Sequence, residues 1–196
     1  MNNYALLSVS DKTGIVEFAK ELKGLGFDLI GSLKTAKLLR ENNIAITEAS
    51  EITGYPAIMG TQGIKLIHPK IFGGILADKA NLEHLKDLKK YKINAIDLLV
   101  CNFYPFKEAI SKKGHKHEDV IFNLDIGGPS MVRCAAKNYK NVAVITDIAD
   151  YKKILMELKQ TGEISLETKE KLSLKAFEYV HKYNEDIINY LKNKFN

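Results

Sequence analysis

The stretch ALLSVSDKTGIVEFAKELKGLGFDLIGSLKTAKLLRENNIAITEAS, residues 5–50, decides the fold class. ALLSVS at 5–10 is a short apolar run of the kind a buried parallel strand shows. Asp11 follows where a helix cap would stand. Ile15, Val16, Phe18, Ala19, Leu22 and Leu25 then recur at helical spacing, and Gly24 and Gly26 end the run. FDLIGS is a second strand, TAKLLRENN a second helix and IAITEAS a third strand. This β-α-β-α-β alternation predicts an α/β fold, a mostly parallel sheet with helices on its faces.

Further along, EITGYPAIMGTQGIKLIHPKIFGGILAD carries two prolines and several glycines, which predicts loops around short strands. NLEHLKDLKKYK has helical character, and IDLLVCNF (96–103) is the clearest central strand. EDVIFNL predicts a short helix, NVAVITD a strand and ADYKKILMELKQTG a helix. From Ser165 the pattern is helical almost to the end. The expectation is one domain over 1–196, with an α/β core at 1–147 and a mainly helical segment at 148–196.

The composition is that of a soluble globular chain: 196 residues, 45% hydrophobic and 27% charged. No run approaches the roughly 18 apolar residues of a membrane span. The N-terminus lacks the basic-then-apolar layout of a signal peptide. Cys101 and Cys134 form neither a disulfide framework nor a metal motif, so a reducing cytoplasm is the expected setting. The net charge of +5 lies largely on helix-like segments as solvated faces. No basic stripe is interleaved with aromatics, which argues against nucleic acid as the partner. His115 and His117 lack further ligands nearby and are expected in an exposed loop.

In open α/β sheets ligands sit beyond the carboxyl ends of the strands. The polar residues at those ends are Ser8, Ser10, Asp11 and Lys12, then Ser32, Lys34 and Thr35 after Gly31, then Asn102 and Tyr104. Hydroxyls, helix-start amides and a lysine suit a phosphate group. On spacing alone, Ser10, Asp11, Ser32 and Thr35 serve equally as helix caps. GSLKT lacks the ending of a P-loop. A second cluster is NLDIGGPSMVRCAAKN, where Asp125 precedes Gly127, Gly128 and Pro129 and a helix carries Lys137. Free amides near Ile126 and Gly127 suit a carbonyl oxygen or oxyanion. Small apolar neighbours are expected to bury the stem of Lys137, where its pKa would shift readily. Pro129 to Lys137 spans about 12 Å of helix, so spacing leaves open whether Asp125 and Lys137 meet. His68, a lone histidine before Pro69, is expected to be structural, and Lys65 carries no decisive signal of its own.

LLSVSDKTGIVEFAKEL, TAKLLRE, ITEASEITGYP, IKLIHPKIFGGILA, IDLLVCNFYPF, NLDIGGPSMVRCAAKN and NVAVITD cover nearly the whole chain. Their order resembles inosine monophosphate (IMP) cyclohydrolase, the amino-terminal domain of the bifunctional AICAR transformylase/IMP cyclohydrolase of purine biosynthesis. The resemblance implies a methylglyoxal-synthase-like domain that closes the ring of FAICAR, giving IMP and water, with neither metal nor redox cofactor. It implies Asp125 as proton acceptor at the carboxamide and Lys137 at the formyl oxygen. Lys65 and Tyr104 would be a neighbouring proton-transfer or positioning pair. Ile126, Gly127 and Asn102 would hold the base, and Ser10 and Lys12, with Ser32, Lys34 and Thr35, the 5′-phosphate. A homodimer is a further expectation from the family.

Several family positions differ. The family's S-[TS]-G-G-T loop is GSLKT here, with Leu33 and Lys34 in place of both glycines. Gly63 stands at the substrate-binding arginine, Leu66 at the threonine after the lysine, and Phe72 at the usual histidine. A lost charged contact to phosphate costs about 1.5–3 kcal/mol, so weak FAICAR binding is expected. A ligand-binding or regulatory domain of the same fold, or a methylglyoxal-synthase-like activity, are the alternatives.

Overall fold

The computed structural model describes residues 3–56, 58, 64–111 and 114–195. Five strands form one sheet: β1 (Asn3–Val9), β2 (Phe27–Gly31), β3 (Thr47–Glu48), β4 (Leu98–Asn102) and β5 (Ala143–Ile145). Their order is β3-β2-β1-β4-β5 and every pairing is parallel. β1 is central because both its edges are paired and both its faces are covered. Ala5, Leu7 and Val9 enter one apolar cluster and Leu6 the other. The strand order reverses between β1 and β4, which opens a crevice at their carboxyl ends.

The helices are α1 (Ile15–Gly24), α2 (Leu33–Glu41), α3 (Ala49–Thr53), α4 (Pro69–Leu76), α5 (Leu82–Tyr91), α6 (Phe106–Ser111), α7 (His117–Phe122), α8 (Gly127–Lys137), α9 (Tyr151–Thr161) and α10 (Leu166–Phe195). On one face α1, α2 and α9 bury Phe18, Leu22, Leu39, Ile154 and Leu158 against the sheet. On the other, α4, α8 and α10 bury Ile71, Ile75, Met131, Ala135, Ala176 and Val180. A fully buried leucine or isoleucine contributes about 1.5–3 kcal/mol, so these two layers hold the strand ends rigidly. Among the described residues no helix is long and apolar enough to cross a membrane.

Three local expectations change. Asp11 does not cap α1; its carboxylate accepts from the Thr13 amide at 2.9 Å and hydroxyl at 2.7 Å, and Gly14 occupies the cap with φ of 69°. The third strand shrinks to two residues because Glu48 and Glu51 form a reciprocal capping box that turns the chain into α3. Among the described residues, the glycine- and proline-rich middle holds helices rather than short strands. The His68 ring accepts from the Lys70 amide at 3.1 Å and Pro69 sits at the first turn, so α4 starts there despite its glycines. A Cβ on Gly74 would meet the Asn94 carbonyl oxygen at 2.4 Å, so this helix runs too close to the chain for a larger residue.

Candidate active site

The residues expected at a phosphate meet where β1 and β2 end. Thr35 is fully buried. Its hydroxyl accepts from the Val9 amide at 3.3 Å and from Lys12 Nζ at 3.2 Å. Lys12 Nζ also donates to the Val9 carbonyl. The Ser32 hydroxyl donates to Thr35 at 3.2 Å instead of capping α2. The first amides of α2 therefore have no side-chain cap at Ser32, and a helix start in that state favours an anion. Burial pushes the Lys12 ammonium pKa down; the like charge of Lys34 adds to this, while Asp11 opposes it. An incoming dianion relieves that repulsion.

Asn102, at the end of β4, bridges the crevice. Its side-chain oxygen accepts from the Ser10 amide at 2.6 Å and the Asp11 amide at 2.8 Å, and its nitrogen donates to the Asp11 carbonyl at 3.1 Å. Two residues on, the Tyr104 amide faces the Asp125 carboxylate and favours its charged form. The Gly128 amide donates to the same carboxylate at 2.8 Å. Burial pushes the Asp125 pKa above the usual carboxylate range, and the two amides oppose the shift without cancelling it. A partly dry carboxylate of raised basicity suits proton transfer. Gly127 and Gly128 are buried beneath it, and Ile126 stands out into solvent, 64% exposed. Thr35, Lys12, Ser10, Asn102, Tyr104 and Asp125 thus form one continuous path along the carboxyl edge of the sheet.

Lys137 does not join that path. It is the last residue of α8 and is exposed, contrary to the expected burial of its stem. The small residues beside it, Ala135 and Ala136, bury themselves against the sheet and turn Lys137 outward. Ten helical steps from Gly127 amount to about 15 Å, and α8 runs back toward the amino edge of the sheet. A lysine side chain reaches about 6 Å, so this Lys137 falls short of the Asp125 of its own chain. Lys65 lies in a single 3-10 turn, Ile64–Leu66, beside buried Leu66. Its side chain and Gly63 lie outside the described residues. Leu33 and Lys34 are both exposed at the start of α2, and Phe72 packs half-buried against the core. His117 stacks on Tyr190 rather than lying in a free loop, with ring centroids 5.8 Å apart.

Sequence reasoning missed two groups on this edge. Lys175 of α10 joins Asp147 and Asp150, each at 2.7 Å, and holds the Asp147 carboxyl below its ordinary range. Tyr179 and Tyr183 of the same helix reach the backbone at Phe103 and Asp125. The only signal in the sequence was their spacing of four, which puts them on one helix face.

The MGS-like domain model matches residues 14–130, and the AICARFT/IMPCHase bienzyme model matches residues 135–196. The chain belongs to the MGS-like domain family. The five-stranded parallel sheet flanked by helices is the fold expected of it. The bifunctional purine biosynthesis protein PurH of Persephonella marina is 51% identical over 195 residues, covering 100% of this chain and 38% of that protein. PurH of Bacillus subtilis is 47% identical over 189 residues, covering 96% of this chain and 37% of that protein. The chain spans a little over a third of the length of these curated relatives. A crystal structure of ForH superposes with a TM-score of 0.82 at 29% identity, covering 96% of this chain and 98% of that one.

Proposed function

We propose that this chain is an IMP cyclohydrolase, closing FAICAR to IMP and water in purine biosynthesis. The observation that carries this reading is the continuous path from Thr35 to Asp125. It sets a phosphate corner and a basic carboxylate on one sheet edge, in a chain similar over its whole length to proteins named for purine biosynthesis.

The reaction joins the carboxamide nitrogen of FAICAR to its formyl carbon. An amide nitrogen is a poor nucleophile, so the step needs a base, a held oxyanion and a proton for the departing oxygen. Lys12, Lys34, Thr35, Ser10 and the first amides of α2 take the 5′-phosphate. Asn102, Ile126 and Gly127 hold the base in attack geometry. Asp125 removes a proton from the carboxamide as the C–N bond forms, and the formyl oxygen becomes a hydroxyl. That hydroxyl leaves as water after a second proton arrives, and the former formamide nitrogen loses its hydrogen as the ring's C=N bond forms. Tyr104 and Lys65 position the oxygen or relay its proton. Lys137 serves the departing oxygen from a second copy of the chain, because its own α8 carries it to the far edge. The expected homodimer thereby gains a chemical purpose.

Absorbance-monitored conversion of FAICAR to IMP tests the reading, with Asp125→Asn as control. Turnover lost in the control supports it. A folded chain that leaves saturating FAICAR unchanged overturns it.

A further inference from the structure

We propose that Tyr179 and Tyr183 of α10 are positioning residues for this site, holding in register the two backbone segments that carry Tyr104 and Asp125. The inference rests on the cyclohydrolase reading for its catalytic consequence, though not for its geometry.

The Tyr179 hydroxyl accepts from the Phe103 amide at 3.0 Å, and the Tyr183 hydroxyl accepts from the Asp125 amide at 2.8 Å. Phe103 immediately precedes Tyr104, so one hydroxyl grips each side of the Tyr104–Asp125 contact. The Phe103 ring is 4% exposed. It stacks on Tyr179 at 4.4 Å and meets Tyr183 edge-on at 5.0 Å. Phenylalanine at 179 and 183 would pack as well as tyrosine. What the hydroxyls add is a partner for two amides that would otherwise be unsatisfied beside the reacting groups. α10 is the right element to supply them, since Ala176 and Val180 anchor it in the core one turn away. The loops at 103–105 and 123–126 thereby take their position from a rigid helix rather than from each other.

The test compares Tyr179→Phe, Tyr183→Phe and a control, Tyr190→Phe, whose hydroxyl contacts His117 at 3.1 Å instead. Steady-state turnover of FAICAR is measured across pH, and the Asp125 carboxyl is titrated by carbon-13 resonance in each protein. Loosening either loop misplaces the base, so kcat falls between about tenfold and a hundredfold while KM moves less than about twofold. Water enters beside Asp125, and its titration moves down toward the ordinary range. Tyr190→Phe leaves both readouts unchanged. A purely structural role would lower the melting temperature and leave the Asp125 titration and the kcat–KM split alone, which would overturn the proposal. Should Tyr183→Phe not fold, Tyr179→Phe carries the same decision at the other loop. Should the wild-type chain show no turnover, the cyclohydrolase reading fails, and an Asp125 titration unmoved in the variants would separately overturn the clamp.

Discussion

Gly128→Ala separates the energetics of folding from those of the proposed chemistry. Gly128 lies in the first turn of α8, where alanine is the better helix former by about 1 kcal/mol. The new Cβ would lie 2.7 Å from Asp125 Oδ2 and 2.9 Å from Phe103 Cδ1. Ordinary contact needs about 3.5 Å, so one neighbour must retreat by more than half an ångström. Phe103 is wedged between Tyr179 and Tyr183 and cannot yield. The Asp125 carboxylate therefore rotates, giving up its bond to the Gly128 amide. Overpacking costs about 1–3 kcal/mol; set against the helix gain, the net loss of stability is about 0–2 kcal/mol. The catalytic loss is larger, because moving a base by this distance lowers kcat by about tenfold to a hundredfold. Urea unfolding and FAICAR turnover on the same preparation measure both. Gly24→Ala is the matched control, since a Cβ there meets nothing within 4 Å. Wild-type kcat in folded Gly128→Ala would refute both the placement of Asp125 and its role as base.

Mixing Asp125→Asn and Lys137→Ala proteins, each inactive alone, is expected to restore about a quarter of wild-type turnover by random pairing of copies. No recovery in a mixture shown to exchange subunits removes Lys137 from the mechanism. Lys34→Ala is expected to raise the KM for FAICAR about fivefold at low salt, and less at high salt, with kcat unchanged; a salt-independent effect would show that charge is not its contribution. The Asp125 pKa is raised by burial, so the folded state holds its proton more tightly than the unfolded one. Stability from this group is fully present below the ordinary carboxylate range and is lost as pH rises through the folded value. Asp125→Asn is therefore expected to be more stable than wild type at neutral pH and no more stable in acid, by urea unfolding at both. The acid limb of kcat against pH is likewise expected above the usual aspartate range, and a limb at the ordinary value would count against Asp125 as base.

The sheet was legible in the sequence where burial dictated pattern. β1 and β4 are covered on both faces and spell near-continuous apolar runs, ALLSV and LLVC. β3 was overread because IAIT is apolar, yet Ile44 and Ile46 are buried from a loop. α4 was missed because two glycines mask a helix whose need for them is tertiary, the close approach of Asn94. The meeting of Lys12, Ser32 and Thr35 could be read from residue type at strand ends. Lys137 was misjudged for a different reason: neighbouring alanines show which helix face is buried, and position 137 lies off that face. The two tyrosines of α10 were beyond any local reading, since each contact spans more than fifty residues.

The replaced glycines of the loop after β2 are where sequence and structure argue most directly. Glycine is required where φ is positive or where a Cβ has no room. Neither condition holds at Leu33 or Lys34. Among the described residues only Asn43 and Lys92 are non-glycine positions with positive φ. Leu33 and Lys34 begin α2 in ordinary helical geometry, with both side chains exposed. The third residue of the turn, Thr35, points back to β1 and takes up Lys12. The backbone amides thus remain presented at the crevice, and the substitution adds one positive charge to a corner that already holds another. Helical geometry replaces flexibility here, and both side chains stand exposed at the start of α2. If FAICAR still binds weakly, the cause lies at Gly63 and Leu66, where the arginine and the hydroxyl are gone, rather than at the loop.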